Sequence, residues 1–150
     1  MFYHGLIIPR LDVKCRWDAI DALADLMTRD GFVRDSYCEA VKEREREFPT
    51  ALPTDPIGVA IPHADLEHCV RPGISVGIMT DPIQWIEIAT EDKWVDVDIV
   101  FLLSITEPKA QVVWLKRLID AFQVEGMLRS LQSLDDERQI LQFLSRHIAS

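Results

Sequence analysis

The sequence has few of the features that mark secreted or membrane-spanning proteins. It contains three cysteines, an odd number, and none of them forms a Cys-x-x-Cys pair. Free thiols in a reducing compartment are the simplest interpretation. The apolar runs are far shorter than the roughly 20 residues that a membrane-spanning helix needs. Residues 1–18 lack a basic segment followed by a long apolar stretch, so we expect no signal peptide. These absences predict a cytoplasmic protein without direct membrane insertion.

Positive charge and glycine-rich loops are also scarce. The chain has 16 basic against 25 acidic residues, a formal net charge of −9. This balance disfavours nucleic acid as a partner, because phosphate-backbone binding depends on clustered Lys and Arg, but it suits a protein with a basic patch. The six glycines are scattered and form neither GxGxxG nor GxxxxGK[ST]. Any phosphoryl transfer would therefore need a donor that brings its own activated phosphate.

The first third of the chain predicts two helices and a loop. Apolar residues recur at helical spacing over residues 17–27, and Gly31 follows as a stop signal. Ser36 and Glu39 have the spacing of a capping box, which predicts that a second helix begins there. Three prolines within residues 49–56 predict a loop.

The rest of the chain predicts strands in the middle and helices at the end. We expect short strands over 57–61 and 74–80, a further one near 84–86, and a central strand over 95–105, where apolar and acidic residues first alternate and both faces then become apolar. Three helical segments follow after Pro108. Strands separated by helices predict a single α/β layered domain of residues 1–150.

His63 is the most informative of the four histidines. A short apolar run stops at Pro62, which prevents both sheet pairing and helix continuation, so His63 follows at the end of a strand, where α/β folds place ligands. An inconsequential turn residue is the alternative. With no catalytic serine or cysteine in view, a functional His63 is a general base or a nucleophile that attacks phosphorus.

Two neighbouring features have competing interpretations. Arg44 would supply the cation that a phosphoryl group needs if residues 48–56 fold the preceding helix end towards His63, whereas a solvated helix face is the simpler interpretation of "EREREF". A metal site of His63, His68 and Cys69 is conceivable, but this spacing matches no familiar zinc pattern. We therefore predict no metal ligands.

The segment "REREFPTALPTDPIGVAIPHAD" resembles the signature region of the fructose/mannitol-type enzyme IIA domains of the bacterial sugar phosphotransferase system. Matching residues are Arg44-Glu45, Phe48-Pro49-Thr50 and Ala60-Ile61-Pro62-His63, and residues 95–122 resemble the late strand and following helix of that family. The resemblance implies an α/β sandwich in which a mixed sheet is flanked by helices on both faces.

The resemblance also implies a cytoplasmic phosphocarrier. His63 would accept a phosphoryl group from the phosphohistidine of HPr and pass it to a cysteine of a cognate enzyme IIB, with membrane enzyme IIC involved indirectly. Arg44 would hold the phosphoryl oxygens. No metal or other cofactor is expected.

Two positions depart from the family pattern. Ala51 replaces a glycine found in many members, and Gln111 replaces the second active-site histidine of mannitol-type members. An amide at Gln111 can still donate a hydrogen bond to a phosphoryl oxygen but cannot become charged. Phe-Pro-Thr together with this glutamine looks most like the galactitol-type branch.

Other functions remain open from the sequence. A nitrogen-type regulatory relative, acting by phosphorylation-dependent protein binding, is the main alternative. An interaction module that keeps the fold without phosphorylation and, more remotely, a metal-dependent hydrolase are two further ones.

Overall fold

The computed structural model describes residues 1–148, two fewer than the predicted domain. In this part the chain forms five strands and five α-helices. The strands are β1 (Ile7–Leu11), β2 (Ala51–Leu52), β3 (Gly58–Ala60), β4 (Gly73–Ile86) and β5 (Trp94–Ser104), and the helices are α1 (Arg16–Arg29), α2 (Tyr37–Glu47), α3 (Pro108–Phe122), α4 (Met127–Gln132) and α5 (Glu137–His147).

The strands form one mixed sheet in the order β1-β4-β5-β3-β2. β1 pairs parallel with β4, and β3 pairs parallel with β5, whereas the β4–β5 and β2–β3 pairs are antiparallel. β5 lies at the centre, and its residues from Ile99 to Ser104 are all buried. The prediction of a central strand that is apolar on both faces is confirmed, because only a strand covered on two sides needs such a run.

Helices cover both faces of the sheet. One hydrophobic cluster packs α1 and α2 against Val100 and Leu102 of β5. The other packs α3, α4 and α5 against Ile99, Phe101 and Leu103, which point to the opposite face because side chains alternate along a strand. The predicted α/β sandwich with helices on both faces is therefore confirmed. Within residues 1–148, none of the helices combines the length and apolar character that a bilayer crossing requires.

The predicted start of α2 is correct in position but wrong in mechanism. Ser36 occupies the N-cap, but its side chain makes no capping hydrogen bond. Its Oγ instead lies 2.8 Å from Nδ1 of His68, so the predicted capping box with Glu39 does not form. A distant residue competes for the hydroxyl, and spacing along the chain does not reveal that competitor.

Two strand predictions also need correction. The segments 74–80 and 84–86 belong to one strand, β4, whose pairing with β5 shifts register between Ile78 and Ile83. This irregularity interrupts the alternation of side chains and makes one strand resemble two. The predicted loop 49–56 contains β2, which pairs with Val59 and Ala60 of β3. A strand of two residues is too short to show periodicity.

Candidate active site

His63 lies just beyond the end of β3 and remains attached to the sheet. The carbonyl of Pro62 accepts a hydrogen bond from the Leu103 amide at 3.1 Å, and His63 forms an isolated parallel bridge with Leu103. The buried Tyr37 hydroxyl donates to the Leu103 carbonyl at 2.5 Å. Both backbone polar groups of Leu103, the residue that bridges His63, are thus engaged, one by Pro62 and the other by Tyr37 of α2.

The backbone also sets the tautomer of the His63 ring. Nδ1 lies 2.9 Å from the carbonyl oxygen of Ile61. Because a carbonyl only accepts, Nδ1 carries the proton and Nε2 keeps its lone pair. Burial lowers the pKa of His63 below its usual value, and the nearby Arg44 charge lowers it further, while the Ile61 hydrogen bond and Asp65 act in the opposite direction. The lowered pKa and the Ile61 contact thus favour a neutral imidazole whose Nε2 lone pair is available.

Arg44 reaches the same cleft from α2. Its Nη1 donates to Oδ1 of Asp65 at 3.2 Å, and its guanidinium carbon lies 5.4 Å from the centre of the Phe48 ring. Its Nε is buried and has no hydrogen-bond partner among the described residues. The structure thus brings together Arg44 and His63, which the sequence placed near each other only on condition that residues 48–56 fold back.

A cleft of about 440 Å³ lies beside these two side chains. One wall is the Phe48-Pro49-Thr50 turn, and the other is the connection between β4 and β5 around Ile88 and Ala89. Phe48 and Ile88 are 55% and 42% exposed, so apolar surface borders the opening. The second wall could not be predicted from the sequence, because an ordinary connection between strands carries no signal that it folds over a distant histidine.

A buried carboxylate holds the Phe-Pro-Thr wall in place. Glu45 is only 3% exposed, and its two oxygens accept hydrogen bonds from the Thr50 amide at 2.9 Å and the Thr50 hydroxyl at 2.8 Å. Burial raises the pKa of Glu45 to about 7, although the Thr50 hydrogen bonds and the Arg16 charge oppose this rise. In the sequence, Glu45 and Thr50 stand out only as matches to a family pattern, and neither has a predicted role.

The other predicted residues lie elsewhere. Gln111 is half-buried in the first turn of α3 and is not among the residues lining the cleft. His68 contacts Ser36, and its Nε2 lies 3.8 Å from Glu67, while Cys69 is buried with its sulfur 3.9 Å from the Asp65 carbonyl. Residues 1–148 contain no group of three His, Cys, Asp or Glu side chains able to hold a metal ion.

The sequence matches a known family over nearly its whole length. The family described as "Phosphoenolpyruvate-dependent sugar phosphotransferase system, EIIA 2" matches residues 1–147. A curated relative, the galactitol-specific EIIA component of the phosphotransferase system from Escherichia coli (strain K12), is 26% identical over 133 residues, covering 89% of this chain and 87% of the relative.

Solved structures share the fold. Enzyme IIAMTL, in its complex with phosphorylated enzyme IIBMTL from Escherichia coli, superposes with a TM-score of 0.77 at 18% identity, over 97% of this chain and 99% of that one. The nitrogen regulatory protein IIA-Ntr from Neisseria meningitidis superposes with a TM-score of 0.72 at 15% identity, over 95% of each chain.

Proposed function

Because the chain belongs to the EIIA 2 family of the phosphoenolpyruvate-dependent sugar phosphotransferase system, we propose that it is a phosphocarrier in which His63 accepts a phosphoryl group from the phosphohistidine of HPr. The observation that carries this proposal is the fixed neutral tautomer of His63, which leaves Nε2 free in a cleft that also contains Arg44. The protein is then a phosphotransferase with a phosphohistidine intermediate, and it needs no metal or other cofactor.

In the first step the Nε2 lone pair of His63 forms a bond to phosphorus. The bond between phosphorus and the ring nitrogen of the donor histidine breaks, and that nitrogen keeps the electron pair. In the product, Nδ1 still carries its proton and Nε2 carries the phosphorus, so the His63 ring is positively charged. The hydrogen bond from Nδ1 to the Ile61 carbonyl is therefore stronger than before transfer. Arg44 neutralises charge on the phosphoryl oxygens, and the apolar wall of the cleft limits access of water.

In the second step a cysteine thiolate of a cognate enzyme IIB attacks the phosphorus, and the electron pair of the P–N bond returns to Nε2. Enzyme IIAMTL, which has the same fold, is known in complex with phosphorylated enzyme IIBMTL, and this supports the choice of acceptor. In this proposal the protein acts in the cytoplasm, and membrane enzyme IIC takes part only indirectly. The galactitol-specific relative favours a galactitol-like sugar alcohol as the transported molecule.

Gln111 is proposed as an additional hydrogen-bond donor to a phosphoryl oxygen. It lies half-buried in the first turn of α3, soon after the β5 strand whose Leu103 bridges His63. Its amide supplies a donor without charge, so it adjusts the orientation of the phosphoryl group more than its stability.

A regulatory role is the second candidate. The shared fold with the nitrogen regulatory protein IIA-Ntr favours it, since the same phosphorylated site then acts by binding other proteins. Genes for a cognate enzyme IIB and enzyme IIC beside the gene for this protein would favour transport, and their absence would favour regulation.

The proposal is tested by incubating the purified protein with phosphoenolpyruvate, enzyme I and HPr and recording its intact mass under mildly alkaline conditions. We expect a gain of one phosphoryl group that acid removes. His63→Ala abolishes this gain and costs less than about 1 kcal/mol of unfolding free energy, because the ring is only half-buried. His68→Ala is the matched control and keeps the gain. An unphosphorylated wild-type protein would refute the carrier role and favour an interaction module.

A further inference from the structure

We propose that Asp65 is a positioning residue that holds the Arg44 guanidinium beside the unphosphorylated His63. After phosphorylation, Asp65 weakens the interaction of Arg44 with the phosphoryl group. Asp65 thereby favours transfer of the phosphoryl group from His63 to the acceptor. This inference rests on the proposed phosphocarrier function and concerns the regulation of the same site.

Arg44 is shared between the surroundings of the histidine and those of the carboxylate. Asp65 follows His63 by two residues in an extended segment, with φ −64° and ψ 153°, and its Oδ1 accepts from Nη1 of Arg44 at 3.2 Å. Arg44 lines the cleft that contains His63 and also a neighbouring groove of about 370 Å³ that contains Asp65. The Arg44 side chain therefore borders both the cleft of His63 and the groove of its ion-pair partner Asp65.

Stability does not explain this ion pair. The side chain of Arg44 is 35% exposed and that of Asp65 is 71% exposed. Ion pairs at such positions contribute little to folding, because water screens the charges and both side chains lose conformational freedom. The ion pair instead determines the position of the Arg44 guanidinium.

A phosphoryl group on His63 competes with Asp65 for Arg44. The guanidinium offers five N–H donors, of which one is used by Asp65, while the buried Nε has no partner among the described residues. Both charges reach the His63 ring, since Arg44 lowers and Asp65 raises its pKa. Asp65 thus orients the cation beforehand but offsets part of its positive charge, so the phosphohistidine is less stable than an unpaired Arg44 would make it.

The test compares Asp65→Asn with Glu67→Gln. Glu67 lines the same groove as Asp65 and is exposed, so it controls for the loss of one negative charge near the site. Each protein is equilibrated with phospho-HPr and HPr, and intact mass gives the phosphorylated fraction. We expect Asp65→Asn to raise the equilibrium constant for phosphorylation about fivefold, the upper range for an exposed charge pair, and Glu67→Gln to change it less than about twofold.

A second comparison shows whether Asp65 acts through the arginine. In an Arg44→Gln background, the Asp65→Asn effect should shrink to less than about twofold, because the shared cation is gone. An unchanged or lower equilibrium constant for Asp65→Asn in the wild-type background would overturn the inference while leaving the carrier role intact. If wild-type His63 gains no phosphoryl group at all, the proposed function fails first and the inference falls with it.

Discussion

Glu45 lies in a run of alternating charges, yet its carboxylate is buried and accepts two hydrogen bonds from Thr50. Its neighbours Arg46 and Glu47 are exposed, as a solvated helix face requires. The burial of one carboxyl ties the end of α2 to the turn that forms a wall of the cleft. At the scale of single residues, the site therefore depends on a side chain that does not touch the reacting atoms.

The raised pKa of Glu45 predicts a pH-dependent stability. A carboxyl with a pKa near 7 in the folded protein and near its usual value of 4.5 when unfolded stabilises the fold most when protonated. Its contribution is present below pH 4.5 and is lost as pH rises to about 7, a change of at most about 3 kcal/mol. Urea unfolding at pH 5, 6 and 7 measures it.

Glu45→Gln is the matched control for this titration, because it keeps the size of the side chain without the proton equilibrium. The unfolding free energy of the wild type should fall relative to that of Glu45→Gln across this range. Parallel pH profiles for the two proteins would show that Glu45 keeps an ordinary pKa.

At the scale of elements, β3 positions His63 just beyond its end, although this strand has only three residues. It fits closely against β5 at Gly58, where a Cβ would lie 2.3 Å from the Asp96 carbonyl oxygen and 2.9 Å from Cγ1 of Val95. The backbone oxygen cannot rotate away as a side chain would. The close approach of the two strands thus requires glycine at this position.

Gly58→Ala is therefore expected to cost about 2 kcal/mol or more of unfolding free energy, since β3 must move away from β5. The same displacement should slow phosphorylation of His63. Gly126→Ala is the control: its φ of 81° is strained for alanine, but a Cβ there meets nothing within 4 Å. We expect Gly126→Ala to lower the unfolding free energy by about 1 kcal/mol and to leave phosphorylation unchanged. Equal losses in the two variants, measured by urea unfolding, would contradict the close-packing argument.

At the scale of the whole molecule, the acidic excess is gathered partly around the site. The cleft and the neighbouring groove are lined by exposed carboxylates around Arg44, among them Glu43, Glu47 and Glu91. With a formal net charge of −9 behind them, these groups would attract a proposed donor that presents basic residues. Charge of this kind increases the rate of encounter more than the strength of binding.

The rate of phosphoryl transfer from phospho-HPr should therefore fall as salt is added. We expect about a tenfold decrease in the second-order rate constant between about 50 and 500 mM salt, because screening shortens the range of the attraction. Rapid-quench measurements provide the rate constants. Neutralising the rim with Glu47→Gln and Glu91→Gln should flatten this dependence, and an unchanged slope in that double variant would place the steering charges elsewhere.

Much of the fold could be predicted from the chain alone. The apolar run of β5 identified a central strand, and the helical spacing of residues 17–27 identified α1, because burial on a sheet or a helix leaves its own periodicity in the sequence. The same method failed for β2 and for the irregular β4. There, pairing between strands determines the structure, and a two-residue strand or a register shift leaves no periodic pattern.

The candidate site, too, could be predicted only in part from the chain alone. The chain alone placed His63 after a strand-ending proline and indicated its chemistry, since Pro62 acts on its own neighbours. Only the tertiary structure determined which more distant groups surround that ring: the Arg44–Asp65 pair beside it, the Glu45–Thr50 contact behind one cleft wall, and the β4–β5 connection that forms the other wall. Local sequence fixes backbone direction, whereas burial and charge pairing arise from residues that meet only when the chain is folded.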